Sequence, residues 1–151
     1  MISNRSDHDA ALSALDVLVG EWTVQTGIPN VPPGRVVFEW ALDRTFLVQR
    51  SEVPRSPFPS SLAVIARDAA AGGFTQHYFD SRGVVRVYRM TLREGVWTLL
   101  RTEPDFSPLD FAQRFQATVA ADGSSVDGRW ETSRDGETWE PDFALSYTKI
   151  G

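Results

Sequence analysis

Residues 114–150 read RFQATVAADGSSVDGRWETSRDGETWEPDFALSYTKI. Asp-Gly occurs twice here, at Asp122-Gly123 and Asp135-Gly136, each time between stretches that alternate in polarity. Alternation with period two marks a half-buried strand, and Asp-Gly between two such stretches is a strong hairpin signal. A two-residue type I′ turn at Asp122-Gly123 pairs Ala121 with Ser124. Counting outward by twos, Val119 meets Val126, Ala117 meets Gly128, Phe115 meets Trp130 and Gln113 meets Thr132. The same turn at Asp135-Gly136 pairs Arg134 with Glu137, Thr132 with Trp139, Trp130 with Pro141 and Gly128 with Phe143. Both counts place Phe115, Trp130, Trp139, Phe143, Leu145 and Tyr147 on one inner face. The opposite face then carries Arg114, Gln116, Asp127, Arg129, Glu131, Asp142 and Ser146. A slip of one residue would exchange the faces, so the pattern argues for this register. Pro141 has no N–H to donate to a ladder, and a bulge or a change of neighbour is expected there.

The rest of the chain extends the pattern. Residues 1–9 are polar and are expected to fray. Leu12, Leu15, Leu18 and Val19 are spaced for a short helix over Ala10–Val19, with Asp7 or Asp9 as N-cap and Gly20 as stop. Ten strands follow: Trp22–Thr26, Arg35–Leu42, Phe46–Val53, Leu62–Arg67, Phe74–Phe79, Val84–Leu92, Val96–Glu103, Phe111–Ala121, Ser125–Arg134 and Thr138–Ile150. IPNVPPG, VPRSPFPSS and EPDFSPLD are loops by their proline and serine. A Glu94-Gly95 turn sets Leu92 against Trp97 and Met90 against Leu99, and extending the count sets Tyr88 against Arg101. A type I turn with a glycine bulge at Asp80–Gly83 pairs Phe74 with Met90, Gln76 with Tyr88 and Tyr78 with Arg86. Left flat, such a meander would expose its edges and one apolar face. Closure into an antiparallel up-and-down β-barrel of about ten strands removes both costs. The expected fold is therefore all-β, a single domain over residues 10–151 with one short N-terminal helix.

Composition excludes several classes of function. At 151 residues with 42% apolar and 11% aromatic side chains, one domain can bury roughly 70% of its unfolded surface. The absence of cysteine rules out disulfides, thiol catalysis, iron–sulfur clusters and thiolate zinc sites. A net charge of −5 and a pI near 5.0 give no footprint for nucleic acid, and no polybasic run addresses a membrane surface. The first residues lack the apolar core of a secretory signal, and no apolar run is long enough to span a bilayer. A cytoplasmic protein is expected, without membrane insertion, as a monomer or homodimer.

The order of a short helix, Gly20-Glu21-Trp22 opening the first strand, successive hairpins and a last strand ending Ser146-Tyr147-Thr148-Lys149 resembles the calycins, the lipocalin and fatty-acid-binding group. More closely, YFDSRGVVRVY and DGETWEPDFALSYTK look like bacterial lipocalin-like proteins of a domain-of-unknown-function family. The resemblance covers nearly the whole chain. It implies that Trp22 packs at the closed end of the barrel beneath Lys149, in a cation–π contact worth about 0.5–2 kcal/mol. The nitrobindins, calycins that bind haem, are similar in layout but take their iron ligand from a histidine near the chain end. Here the only histidines are His8 and His77, and the turn count puts His77 on the outer face.

No catalytic constellation emerges. A serine–histidine–carboxylate triad needs a histidine beside a nucleophile, a metal site needs a ligand cluster, and neither is present in the sequence. No metal ion and no cofactor is expected. The polar minority of the inner face is more informative, because pockets are mainly apolar with a few convergent polar groups. The candidate ligand-binding residues are Trp40, Gln76, Tyr78, Tyr88, Trp97, Arg101, Gln113, Phe115 and Trp130. Arg101 with Tyr88 suits a carboxylate or enolate, whereas Arg86 reads as a solvated residue at the barrel mouth. The loop Pro54–Ser61, carrying Phe58, reads as a proline-stiffened connector or as a lid. Arg50 and Glu52 take either face, depending on the length of the turn at Asp43-Arg44-Thr45.

The leading expectation is a non-enzymatic carrier or sensor of a small hydrophobic or amphipathic molecule. Three alternatives stay open. One is a small isomerase, decarboxylase or cyclase acting on a phenolic or oxylipin-like substrate, which needs Tyr78 or Tyr88 facing an inward carboxylate; the inner face offers none unless Glu39 or Glu52 turns inward. The second is a haem-binding barrel. The third is a packed interaction module or homodimer without a cavity.

Overall fold

The structure, a computed structural model, describes residues 10–54 and 57–150. The expected fraying of residues 1–9, the caps at Asp7 or Asp9 and the start of the Pro54–Ser61 loop at Arg55 and Ser56 fall outside them. Ten strands run in chain order: β1 (Gly20–Thr26), β2 (Gly34–Ala41), β3 (Phe46–Glu52), β4 (Ser61–Asp68), β5 (Gly73–Asp80), β6 (Val85–Arg93), β7 (Val96–Arg101), β8 (Ala112–Val119), β9 (Ser125–Ser133) and β10 (Glu140–Lys149). Each pairs antiparallel with its sequence neighbours, and β1 pairs with β10, so the sheet closes into a barrel without an edge. The register at β5–β6, β6–β7 and β8–β9 is the one that the turn residues dictate, down to Gln76 opposite Tyr88 and Phe115 opposite Trp130. At Glu94-Gly95 both residues take positive φ, 51° and 77°, as a type I′ turn requires. At Asp122-Gly123 only Gly123 does, and its N–H donates to the Ala120 carbonyl. The turn there is not type I′, but the pairing is unchanged.

The β9–β10 count is corrected. Asp135 does not sit in a two-residue turn: its Oδ1 accepts the N–H groups of Glu137 (2.8 Å) and Thr138 (2.7 Å), and the Ser133 hydroxyl donates to it (3.0 Å). This lengthens the loop, so Glu140 rather than Trp139 faces Thr132. A bulge between Pro141 and Phe143 shifts the register once more and sets Phe143 opposite Trp130. The two shifts together amount to two residues. Two preserves the face, so Phe143, Leu145 and Tyr147 stay on the inner side as expected. Trp139 lies outside, where the Arg114 guanidinium stacks 4.3 Å from its ring centroid. Asp142, expected on the outer face, is the bulged residue.

The helical segment spans residues 10–18, and its second half, Ala14–Leu18, is 3-10. Leu12, Leu15 and Leu18 recur every third residue, which aligns them on one side of a helix with three residues per turn. All three are buried and plug one end of the barrel. Trp22 donates its indole N–H to the Leu18 carbonyl at 2.9 Å, and Lys149 Nζ lies 5.1 Å from its ring centroid, as the resemblance implied. The β2–β3 turn closes the same end. Leu42, Asp43 and Arg44 all have positive φ, and Arg44 reaches back to bind Asp16 and lie over Trp40. This four-residue connection settles β3: Arg50 pairs with Glu39 outside the barrel, and Glu52 is exposed.

Above the helix, Phe38, Trp97, Phe115 and Tyr147 fill the interior, Phe38 and Phe115 edge to face with Trp97 and Tyr147 tilted against it, with ring centroids 5.1–6.0 Å apart. This half of the barrel is solid.

Candidate ligand-binding site

The other half is hollow. A cavity of about 1100 Å³ opens at the end opposite the helix. It is walled by the mouth-side ends of β5, β6, β8, β9 and β10 and by residues 57–59 of the β3–β4 loop. Alternate connections of an up-and-down barrel fall at the same end. The proline-bearing loops after β1, β3 and β7 therefore ring this mouth, whereas the tight turns after β6 and β8 lie at the closed end.

Tyr88, Trp130 and Gln76 form the inner surface of the cavity. Tyr88 packs edge-on to Trp130 (5.7 Å) and to Tyr78 (6.5 Å), and Trp130 rests on Phe115 (5.1 Å). Phe115 lies this close to β9 because Gly128 has no side chain: a Cβ there would come within 2.8 Å of the Phe115 ring. Gln76 Nε2 donates to Gln49 Oε1 at 3.2 Å, and Gln49 also bonds the Tyr147 hydroxyl, so a polar chain leads from the cavity into the solid half. Burial pushes the Tyr147 hydroxyl well above the usual phenol range.

Hydrogen bonding orients the polar groups of the walls. The Tyr88 hydroxyl donates to Gln113 Oε1 at 3.1 Å. The Tyr78 hydroxyl donates to Asp80 Oδ2 at 2.9 Å, and Arg82 Nη2 donates to the same oxygen at 2.7 Å. Burial works against ionisation of Asp80, but the bonds from Arg82, Tyr78 and the Arg82 and Val84 N–H groups outweigh it and pull its pKa down to about 2. Burial, reinforced by the Asp80 carboxylate, drives the Tyr78 hydroxyl far upward. Tyr88 is also shifted up by burial. An inward carboxylate thus meets a tyrosine, as an acid–base enzyme would need. Both groups titrate far from pH 7, so Tyr78 stays protonated and Asp80 ionised there.

Gln76, Tyr78, Tyr88, Gln113 and Trp130 line the cavity. Trp40, Trp97, Arg101 and Phe115 do not. Trp40 lies at the closed end and donates its indole N–H to Asp16 at 3.0 Å. Trp97 and Phe115 belong to the solid half, where the Trp97 indole N–H is buried without a partner. Arg101 is buried and held by Asp105 through Nε–Oδ2 (2.8 Å) and Nη2–Oδ1 (3.0 Å). Asp105 also accepts the Val87 N–H at 2.8 Å, and the Arg101 bond, outweighing burial, holds its carboxyl well below the usual range. The pair seals the wall where β7 ends, and the Arg101 guanidinium is not offered to the cavity. The wall instead carries Arg86, Phe111, Thr132 and Phe143, together with Glu140 and Asp142 at the rim. Arg86, Thr132 and Phe143 share the parity of the expected inner face, and their place near strand ends at the wide mouth is what the sequence reading undervalued. Phe58 contacts Phe143 across the mouth at 5.9 Å. His77 sits outside the barrel between Val64 and Val87, and the described residues contain no cluster of metal-ligating side chains.

No protein-family model and no curated protein sequence matches this chain. Among solved structures, the crystal structure of Rv2717c from M. tuberculosis is similar, with a TM-score of 0.62 over 93% of this chain and 98% of that one, at 18% identity. That likeness is one of fold: a closed, ten-stranded antiparallel barrel.

Proposed function

We propose that this barrel is a calycin-like carrier or sensor that holds a small amphipathic molecule in the open half of its interior. One observation carries the reading: the aromatic interior is solid at the helix end and empty over about 1100 Å³ at the mouth. Space of that order suits a drug-sized ligand, and the mixture of Trp130, Tyr88 and Phe143 with Gln76, Gln113 and Tyr78 suits one that is apolar with polar edges. The net charge of −5 argues for a small molecule over nucleic acid as the partner.

Of the five tryptophans, Trp130 is the one that lines the cavity. Titration with the uncharged fluorophore N-phenyl-1-naphthylamine is expected to quench tryptophan emission saturably and to raise the probe's own emission. Trp130→Phe is expected to remove most of the quenching, whereas Trp139→Phe, outside the barrel, leaves it intact. Absence of saturable binding by the wild-type protein would refute the proposal.

A further inference from the structure

We infer that the cavity selects an anionic amphipath, and that Arg86 is the residue that receives the negative group; this rests on the reading of the cavity as a ligand site. Three arginines of this region project from β5–β7 and the β5–β6 turn toward the mouth: Arg82, Arg86 and Arg101. Two are already matched. Arg82 grips Asp80 and Arg101 grips Asp105. Arg86, on the inner face of β6 opposite Tyr78, lines the cavity, is half-buried and makes no ion pair among the described residues. A guanidinium partly withdrawn from water without a counter-charge is costly, and an arriving anion recovers that cost through charge-assisted hydrogen bonds.

The neighbours of Arg86 are arranged for such an anion. The Tyr88 hydroxyl donates to Gln113 and takes a hydrogen bond from Arg86, but burial outweighs the pull of that cation and keeps the phenol neutral. The Tyr78 hydroxyl is committed to Asp80 and stays protonated. Neither tyrosine therefore competes as a counter-charge. Of the other carboxylates nearby, Asp110 lines a smaller pocket with Arg86 and Arg101, and Asp135, Glu140 and Asp142 lie on the β9–β10 side of the cavity; all four are exposed to water and none forms an ion pair with Arg86. Asp135, Glu140 and Asp142 outnumber Arg134, the basic residue beside them in the lining and itself exposed to water, and so disfavour an anion on that wall; the half-buried Arg86 on the β6 wall is left as its place. The apolar body then lies against Tyr88 and Trp130, with the charge at the half-exposed level of Arg86 and not in the floor.

The test compares two probes that differ by one charge: N-phenyl-1-naphthylamine and its sulfonated relative 1-anilinonaphthalene-8-sulfonate. Arg86→Gln is expected to weaken the sulfonate about tenfold, as befits hydrogen bonds to a charged group, and to change the uncharged probe by less than about twofold. Arg86→Lys, which keeps the charge, is expected to fall between wild type and Arg86→Gln for the sulfonate. The unchanged uncharged probe shows that the variants are folded. If the uncharged probe binds and Arg86→Gln leaves the sulfonate unaffected, or weakens both probes equally, the anion site is refuted while the cavity reading stands. If the uncharged probe does not bind the wild-type protein, the cavity reading itself fails.

Discussion

Asp80 shows how one side chain ties the mouth together. Its carboxylate takes the Tyr78 hydroxyl, the Arg82 guanidinium and the backbone N–H of Arg82, and its own side chain is fully buried. Its pKa falls from 3.8 to about 2 on folding, so the folded state favours the charged form. A depressed carboxyl contributes stability above its unfolded pKa and loses it as pH falls through the folded value. The window here runs from about pH 4 down to about pH 2, and the contribution at neutral pH is on the order of 2 kcal/mol. Asp80→Asn is expected to lower stability near pH 7 by about that amount and to flatten the loss between pH 4 and 2. Urea unfolding at a series of pH values measures both. An unchanged slope in the variant would assign the acid limb elsewhere, with Asp105 the next carboxylate in line, since Arg101 depresses it further.

At the scale of the strand, β9 and β10 carry the features that shape the cavity. Gly128 in β9 is not a turn glycine. A Cβ there would meet the Ala117 Cβ at 2.6 Å and the Phe115 ring at 2.8 Å, closer than packed carbon atoms approach. The bare backbone lets Phe115 lean across and support Trp130. Gly128→Ala is expected to cost about 1–3 kcal/mol through overpacking, in spite of alanine's better strand propensity. It is also expected to push Phe115 and Trp130 into the cavity and weaken the naphthylamine probe. Denaturation and probe titration on the same variant test the two effects together; a neutral or stabilising alanine would show that Phe115 has room to move. In β10, the Pro141 bulge places Phe143 under Phe58 and turns Asp142 to the rim, so the strand that closes the barrel also decorates its mouth.

The molecule as a whole divides across its long axis into a packed end and an open one. The helix, Trp22, Phe38, Trp97 and Tyr147 make the packed end a core that resists change. Trp97 is 1% exposed and touches aromatic rings on three sides, so Trp97→Ala is expected to cost about 3–5 kcal/mol. The unpartnered indole N–H tempers that loss slightly. Trp130 already faces empty space, and Trp130→Ala enlarges a void that solvent reaches. Its cost is expected to be less than half as large, while the cost to ligand binding is the greater of the two. Thermal unfolding and probe titration of both variants give this crossed pattern. Equal destabilisation would mean that the mouth is as tightly packed as the base.

The sequence by itself determined the strands, their neighbours and most of the faces, because two-residue periodicity and glycine turns act over a few residues. Gln76, Tyr88 and Trp130 were legible as inner residues from turn counting alone, and the outer placement of His77 followed from the same count. The count failed where a side chain replaced backbone geometry, as when Asp135 capped its own loop and moved Trp139 to the outside. What only the tertiary structure decided was occupancy. Parity says that Trp97, Arg101 and Arg86 all point inward, yet Trp97 is core, Arg101 is spent on Asp105 and Arg86 is left facing the cavity. Those fates depend on height along the barrel and on which carboxylate folds back from a loop, and both are set by contacts between distant parts of the chain.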